Sequence, residues 1–275
     1  MANYTAADIK ALRESTGAGM LDVKKALEEA DGDRAKATEI LRIKGQKGVA
    51  KRDSRTTENG LIIASAGDGM GTMVELLCET DFVAKGAKFG QLAAQVLQVA
   101  VSSAAADADS LLAASGDDGK SIKDLLDDAN ATIGEKIEIK RVARVEAPVV
   151  ASYLHKTSPD LPAQIGVLVG TSGQDQTARD IAMHVAAFSP NFLTRAEVDE
   201  ETVANERRVA EATAREEGKP EQALERIIEG RVNGFFKENV LHEQAFAKEP
   251  KKTVGKVAQE AGVEIVGFAR FKVGV

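Results

Sequence analysis

At 275 residues and 43% hydrophobic content the chain can bury two or more cores, and no segment approaches the ~18 consecutive apolar residues of a membrane-spanning helix. A formal charge of −7 excludes a protein that grips nucleic acid over its whole surface, because phosphate binding needs clustered positive charge. One cysteine, Cys78, excludes an internal disulfide framework, and the amino terminus shows no basic region followed by an apolar stretch, so the expected setting is reduced and cytoplasmic.

The first expected elements are helical. Thr5 suits an N-cap with Asp8 in the first turn, Ile9 and Leu12 share one face, and Gly17-Ala18-Gly19 ends the helix. Leu21, Val23, Ala26 and Leu27 give a second helix that stops at Asp31-Gly32. Asp33 caps a third, carrying Ala37, Ile40 and Leu41, until Gly45 breaks it. Three short helices over 5–44 resemble a ubiquitin-associated-type bundle, and so small a core favours docking against something larger. Next, Lys44, Lys47, Lys51, Arg52 and Arg55 crowd an interval opposed only by Asp53. Loosened by Gly45 and Gly48, and with no aromatic residue for a base to stack on, it reads as a solvated linker more readily than as an RNA-binding arm.

Gly60 opens a strand pair, Leu61 to Ser65 and Met70 to Cys78, joined through Gly67-Asp68-Gly69, whose glycines supply positive φ. A phosphate cradle there would need a following Lys-Ser or Lys-Thr and a helix start, and neither is present. After Lys85 the spacing turns helical at Phe89, Leu92, Ala93, Val96 and Leu97. Thr80-Asp81-Phe82-Val83 therefore stands at a strand-to-helix junction, on the surface, where Phe82 either folds back under the helix or protrudes toward a partner. Residue type alone favours burial. Cys78, in an apolar strand with nothing basic adjoining, reads as a small buried side chain rather than a reactive thiol.

The alanine-rich, acidic stretch Ala104 to Asp118 reads as a helix end and mobile loop. A short helix with Ile122, Leu125 and Leu126 follows, and Ile133-Gly134-Glu135-Lys136 turns into a strand from Ile137 to Val145. The second half then repeats the plan: strands from Tyr153 to Leu161 and from Ile165 to Gly170, and a helix from Ala178 to Phe188. From Pro190 to Leu241, apolar residues at spacings of three and four, interrupted by Gly218-Lys219-Pro220, predict a projecting antiparallel helical hairpin with a narrow seam. Val254 to Val275 supplies one helix and a strand that completes the second sheet. The expected fold class is α+β: a bundle with its linker (1–54), two core subdomains with antiparallel sheets (55–147, and 148–189 with 242–275), and the hairpin (190–241).

No catalytic constellation emerges. His155, His184 and His242 fall in different elements, none with a second histidine or cysteine at metal-ligand spacing, so neither a metal nor a cofactor is expected. His184, inside an apolar helix, reads as a satisfied core histidine. No serine stands in a Gly-x-Ser-x-Gly turn, and the carboxylates lie on charged faces where solvation explains them.

Two runs, Cys78-Glu79-Thr80-Asp81-Phe82-Val83-Ala84-Lys85 and Leu12-Arg13-Glu14-Ser15-Thr16-Gly17-Ala18-Gly19-Met20, resemble bacterial translation elongation factor Ts. So do Ile165-Gly166-Val167-Leu168-Val169, Ile181 to Ala187 and Glu249 to Gly255, in family order along nearly the whole chain. The resemblance implies a non-enzymatic guanine nucleotide exchange factor for elongation factor Tu, binding its GDP-bound and nucleotide-free forms. It implies that Phe82 dislodges the partner's magnesium, with Asp81 orienting the loop and binding the partner and Thr80 and Val83 shaping the turn. It further implies partner contacts at Arg13, Met20 and Leu21, at Ile133, Gly134 and Glu135, and at His155, which precedes a loop with Pro159 and Pro162 that looks longer than the family's. Phe246-Ala247-Lys248 departs from the larger apolar residues that the family often places there. Without the resemblance, Met20 reads equally as core and Arg13 as a solvated face.

Two other classes remain at this stage: an adaptor for ubiquitin-like proteins built on the bundle, which would make Phe82 packing material, and an RNA-binding protein using Lys44 to Arg55. No membrane and no direct nucleic-acid partner are expected, and the hairpin is a candidate surface for a homodimer.

Overall fold

The computed structural model describes the chain apart from Met1, Ala2, Gly17 and Asp53, and apart from the side chains of residues 45–51. Helices α1 (Ala6–Thr16), α2 (Met20–Glu29) and α3 (Arg34–Arg52) form the bundle around Leu12, Val23, Ala26, Leu27, Ala37 and Leu41. The glycine-ended turn expected after α1 includes Gly17, which lies outside the described residues. Gly45 does not end α3, which runs on to Arg52. A glycine costs a helix roughly 1 kcal/mol; here α3 lies against a later helix, and the Arg52 guanidinium donates to the Asn130 carbonyl at 2.9 Å, which offsets it.

The first sheet has the order β1-β2-β3, all antiparallel, from β1 (Asn59–Gly67), β2 (Met70–Cys78) and, much later, β3 (Ile137–Glu146). Between β2 and β3 come α4 (Asp81–Ala84), α5 (Ala87–Ser102), α6 (Ala108–Ala113) and α7 (Ile122–Ile133). The stretch read as a loop thus contains α6, capped by a reciprocal pair in which Asp107 accepts from the Ser110 N–H and Ser110 from the Asp107 N–H. A serine at the third helical position does the work usually given to glutamate, which hid the motif.

The second sheet repeats the order with β4 (Val149–His155), β5 (Ile165–Thr171) and β8 (Ile265–Lys272), and α8 (Asp175–Phe188) covers it. Strand β4 ends at His155 rather than running to Leu161, because the segment holding Pro159 and Pro162 cannot continue a ladder. Residues 156–164 instead reach the outer edge of β1: Ala163 accepts from the Ile62 N–H at 2.9 Å and Gln164 donates to the Gly60 carbonyl at 2.9 Å. Between α8 and β8 lie α9 (Glu200–Glu216) and α10 (Glu221–Asn239), then the short strands β6 (Ala245–Phe246) and β7 (Glu249–Thr253), which the sequence reading missed, and α11 (Val254–Glu260). Helices α9 and α10 pack chiefly on each other around Ala210, Ala214, Leu224, Ile228 and Val232.

These parts stack as helix, sheet, sheet, helix. Val74, Leu76 and Cys78 of β2 face Phe89, Leu92 and Val96 of α5, while Met73, one residue out of phase, meets Ile62, Leu168 and Phe271 between the sheets. Val167 and Val169 face Ile181 and Val185 of α8. Each such side chain contributes roughly 1.5–3 kcal/mol of burial. Gly166 allows the sheets to approach: a Cβ there would sit 2.3 Å from Ile62 Cγ2 and 2.7 Å from Met73 Sδ. Glu75, fully buried on the same side of β2, accepts from Arg141 Nε at 2.6 Å, and that guanidinium lies 4.5 Å from the centre of the Phe271 ring.

His184 is the satisfied core histidine that the sequence suggested. Its Nδ1 accepts from the Ala247 N–H at 3.2 Å, so Nε2 carries the proton and donates to Gln244 Oε1 at 2.9 Å. Burial holds its pKa below the ordinary value, against the Gln244 bond, which pulls the other way. Among the described residues, no helix is long and apolar enough to cross a membrane and no cluster of acids, histidines or cysteines could hold a metal ion.

Candidate functional site: an exposed phenylalanine on a braced turn

Where β2 leaves the sheet, Cys78 is buried, its thiol pushed up to about 12 first by desolvation and then by the charge of Glu135, and its Sγ lies 3.2 Å from the Thr80 carbonyl. It is a structural residue. Thr80 is the N-cap of α4, its Oγ1 accepting the Val83 N–H at 3.3 Å. Ala84 is buried and Val83 packs on the first core, which leaves Asp81 and Phe82 on the outer side of this single helical turn. Phe82, at 83% exposure, is the barest large hydrophobic residue among the described residues. The reading of Phe82 as packing material is overturned by this geometry.

Asp81 pairs with Lys85 one turn on, at 2.7 Å. The hydrogen bond from Lys85 leads the effects that hold the Asp81 carboxyl below its usual range. Lys85 is correspondingly raised, first by that bond and to a smaller degree by Asp160 in the 156–164 loop.

The turn is held by the neighbouring α7–β3 junction, where Ile137 pairs with Cys78 at the same end of the sheet. Gly134 ends α7 at φ +85, a left-handed conformation that suits glycine. This turns Glu135 back toward Thr80, whose N–H it accepts at 3.0 Å and whose hydroxyl it accepts at 2.6 Å. Glu79 answers by accepting the Lys136 N–H at 2.6 Å, and it also takes Arg55 at 3.1 Å. Partial burial raises the Glu79 pKa, but the Lys136 N–H and Arg55 outweigh it and the net shift is downward. Ile133, last in α7, is half-buried against the first core.

Arg13 of α1 and Met20 of α2 line one open cleft together with Lys88 of α5, so the bundle faces the helix that begins just after the Phe82 turn. Met20 is 60% and Leu21 73% exposed, and neither belongs to the bundle's buried core. Thr132 donates to the Thr16 carbonyl at 3.3 Å, which ties the end of α7 to the end of α1. The fold thus sets Arg13, Met20, the 80–83 turn and residues 133–135 around one region of the molecule. His155 stands apart at the end of β4, its ring stacked on Tyr153 and its Nδ1 3.2 Å from the Tyr153 hydroxyl. Sequence reasoning missed Glu79 and Lys85. The 81/85 spacing was visible as an i,i+4 acid–base pair, whereas nothing in the sequence joins 79 to 136 or 80 to 135.

The basic stretch makes no free arm in its described part: Lys44 pairs with Glu29 at 2.8 Å, and Arg52 and Arg55 are bonded as given above. The side chains of Lys47 and Lys51, and all of Asp53, lie outside the described residues.

Fold and site together define an α+β factor whose most distinctive surface is a projecting apolar side chain on a rigid turn. The family model described as elongation factor TS matches residues 79–275. The chain is 60% identical to elongation factor Ts of Acidothermus cellulolyticus over 100% of this chain and 99% of that protein. It is 59% identical to elongation factor Ts of Micrococcus luteus and 59% identical to that of Beutenbergia cavernae, with both chains covered in full. The chain belongs to the elongation factor Ts family.

Proposed function

We propose that this protein is a cytoplasmic guanine nucleotide exchange factor for elongation factor Tu in translation elongation, acting by contact and without covalent chemistry. It binds the GDP-bound GTPase, Phe82 inserts beside the GTPase's magnesium site, magnesium and GDP leave, and GTP can enter. Asp81 orients the loop and binds the partner, while Thr80 and Val83 shape the turn. Arg13, Met20, Leu21, Ile133, Gly134 and His155 frame the docking surface.

The observation that carries this reading is the exposure of Phe82 on a turn whose other positions are tied down. An apolar ring left in water, in a chain that belongs to this family, is best explained by a pocket on another molecule. Magnesium bridges the nucleotide's β-phosphate to the GTPase, so a state that has lost the metal binds GDP poorly and binds the factor well. Linkage makes this reciprocal: incoming nucleotide weakens the factor as much as the factor weakens nucleotide, and one molecule can serve many turnovers. Burying one phenylalanine contributes roughly 1.5–3 kcal/mol, about ten- to a hundredfold in an equilibrium constant, so the surrounding contacts must supply the rest.

The test is Phe82→Ala, with GDP release from elongation factor Tu followed by stopped flow with a fluorescent nucleotide. The variant should fold as the parent does, because Phe82 is 83% exposed, and should lose about ten- to a hundredfold of its stimulation. Undiminished stimulation would remove Phe82 from the mechanism.

A further inference from the structure

The family resemblance makes Glu135 a partner contact, but its geometry is turned inward. We propose that Glu135 is a positioning residue, which fixes the direction in which Phe82 projects by holding both the backbone N–H and the hydroxyl of Thr80. This inference rests on the exchange function proposed above and assigns that site a further working part.

Both carboxylate oxygens are committed: Oε2 accepts the Thr80 N–H at 3.0 Å and Oε1 accepts the Thr80 hydroxyl at 2.6 Å. A hydroxyl has one proton and two lone pairs. With its proton given to Glu135, the Thr80 oxygen presents a lone pair to the Val83 N–H at 3.3 Å. The relay Glu135 to Thr80 to Val83 therefore brackets Phe82 on both sides, and its charged end strengthens the link beyond it. Glu79 closes the clasp in the reverse sense through the Lys136 N–H at 2.6 Å, so each of two neighbouring junctions supplies the carboxylate that caps the other. Helix α4 is a single turn and could not hold a direction by itself. Gly134, at φ +85, is the bend that brings Glu135 into place.

A wedge that delivers binding energy to a partner must not swing when pressed; otherwise part of that energy is spent ordering the turn at the moment of contact. Loss of the clasp should therefore slow the step that Phe82 drives and leave the affinity of the wider docking surface in place.

The chain contains no tryptophan, so Phe82→Trp creates a single emitter at the tip of the turn. In that background Glu135→Ala, and equally Thr80→Val, should lower the steady-state fluorescence anisotropy of the free protein. The two changes combined should lower it by less than the sum of the single effects, because both remove the bond between the Thr80 hydroxyl and Glu135. In the chain with Phe82, Glu135→Ala should reduce the maximal rate of GDP release from elongation factor Tu about tenfold and shift the half-saturating concentration less than about twofold. Glu135→Gln, which keeps one acceptor oxygen, should fall between. Added to Phe82→Ala, Glu135→Ala should cause no further loss. Unchanged anisotropy, or a raised half-saturating concentration at an unaltered maximal rate, would overturn the proposal, and the second result would make Glu135 a partner contact. Should Glu135→Ala fail to fold by circular dichroism, Thr80→Val removes the hydroxyl bond to Glu135 and the link to Val83 while keeping the backbone N–H bond, and decides the matter. If Phe82→Ala itself has no effect, the exchange reading fails while the anisotropy still decides whether Glu135 holds the turn.

Discussion

The two sheet-and-helix units share one plan and differ at one place. In each, a hairpin's second strand lies in the middle of a three-stranded antiparallel sheet, the following helix covers that sheet, and the third strand returns after a long excursion. In the second unit β5 reaches α8 through residues 172–174 alone, and no aromatic side chain stands there. In the first, residues 79–86 intervene between β2 and α5; they form α4, expose Phe82 and engage the α7–β3 junction through two carboxylates. The same scaffold thus carries a tool at one strand-to-helix junction and a plain connection at the other. Comparing them separates what the fold requires from what it has added.

Variants in the second unit sharpen that contrast. Ile181, fully buried on α8 against Val167 and Val169, should when changed to Ala cost about 2–5 kcal/mol of stability, read as a lower urea midpoint. Per folded molecule it should stimulate GDP release at the parent's maximal rate. A parallel loss of that rate would show that the core of the second unit takes part in the exchange step itself.

A smaller cost is expected where the units meet. Gly166→Ala places a methyl group against Ile62 and Met73 and should destabilise by roughly 1–3 kcal/mol, seen as a fall in the thermal midpoint. A midpoint equal to the parent's would mean that the sheets can separate without penalty.

The mildest effect is a pH dependence that belongs to the second unit alone. His184 is buried neutral, with a folded pKa below its ordinary 6.5. Between the folded and the ordinary value the unfolded chain binds more protons, so protonation favours unfolding. The contribution of neutral His184 to stability is complete above about pH 6.5 and diminishes as pH falls toward the folded pKa. Denaturant titrations monitored by circular dichroism between pH 7 and 5 should show this decline, and His184→Gln should flatten it. An equal slope in the variant would assign the decline to other groups.

The contrast also shows what a linear sequence can reveal. The alternation along β2 and the helical spacing after Lys85 placed Thr80-Asp81-Phe82-Val83 at a strand-to-helix junction, because periodicity is a local signal. The direction of Phe82 was not local: it depends on Val83 and Ala84 packing beneath and on Glu135 bonding across a gap of 55 residues. Gly45 misled for a related reason, since a helix breaker counts for less when tertiary docking holds the helix beyond it. The end of β4 was misplaced although Pro159 and Pro162 marked it, and α6 was missed because its cap reverses the usual order of hydroxyl and acid.

The segment with those prolines has a role that its irregular course conceals. Strand β1 is an outer strand of its sheet, and the bonds from Ile62 to Ala163 and from Gln164 to Gly60 occupy part of the rim that would otherwise be open to another chain's backbone. Its two prolines offer no N–H to an approaching strand. The connection thus does two things at once: it joins β4 to β5 and it takes up hydrogen-bonding positions on the outer edge of β1.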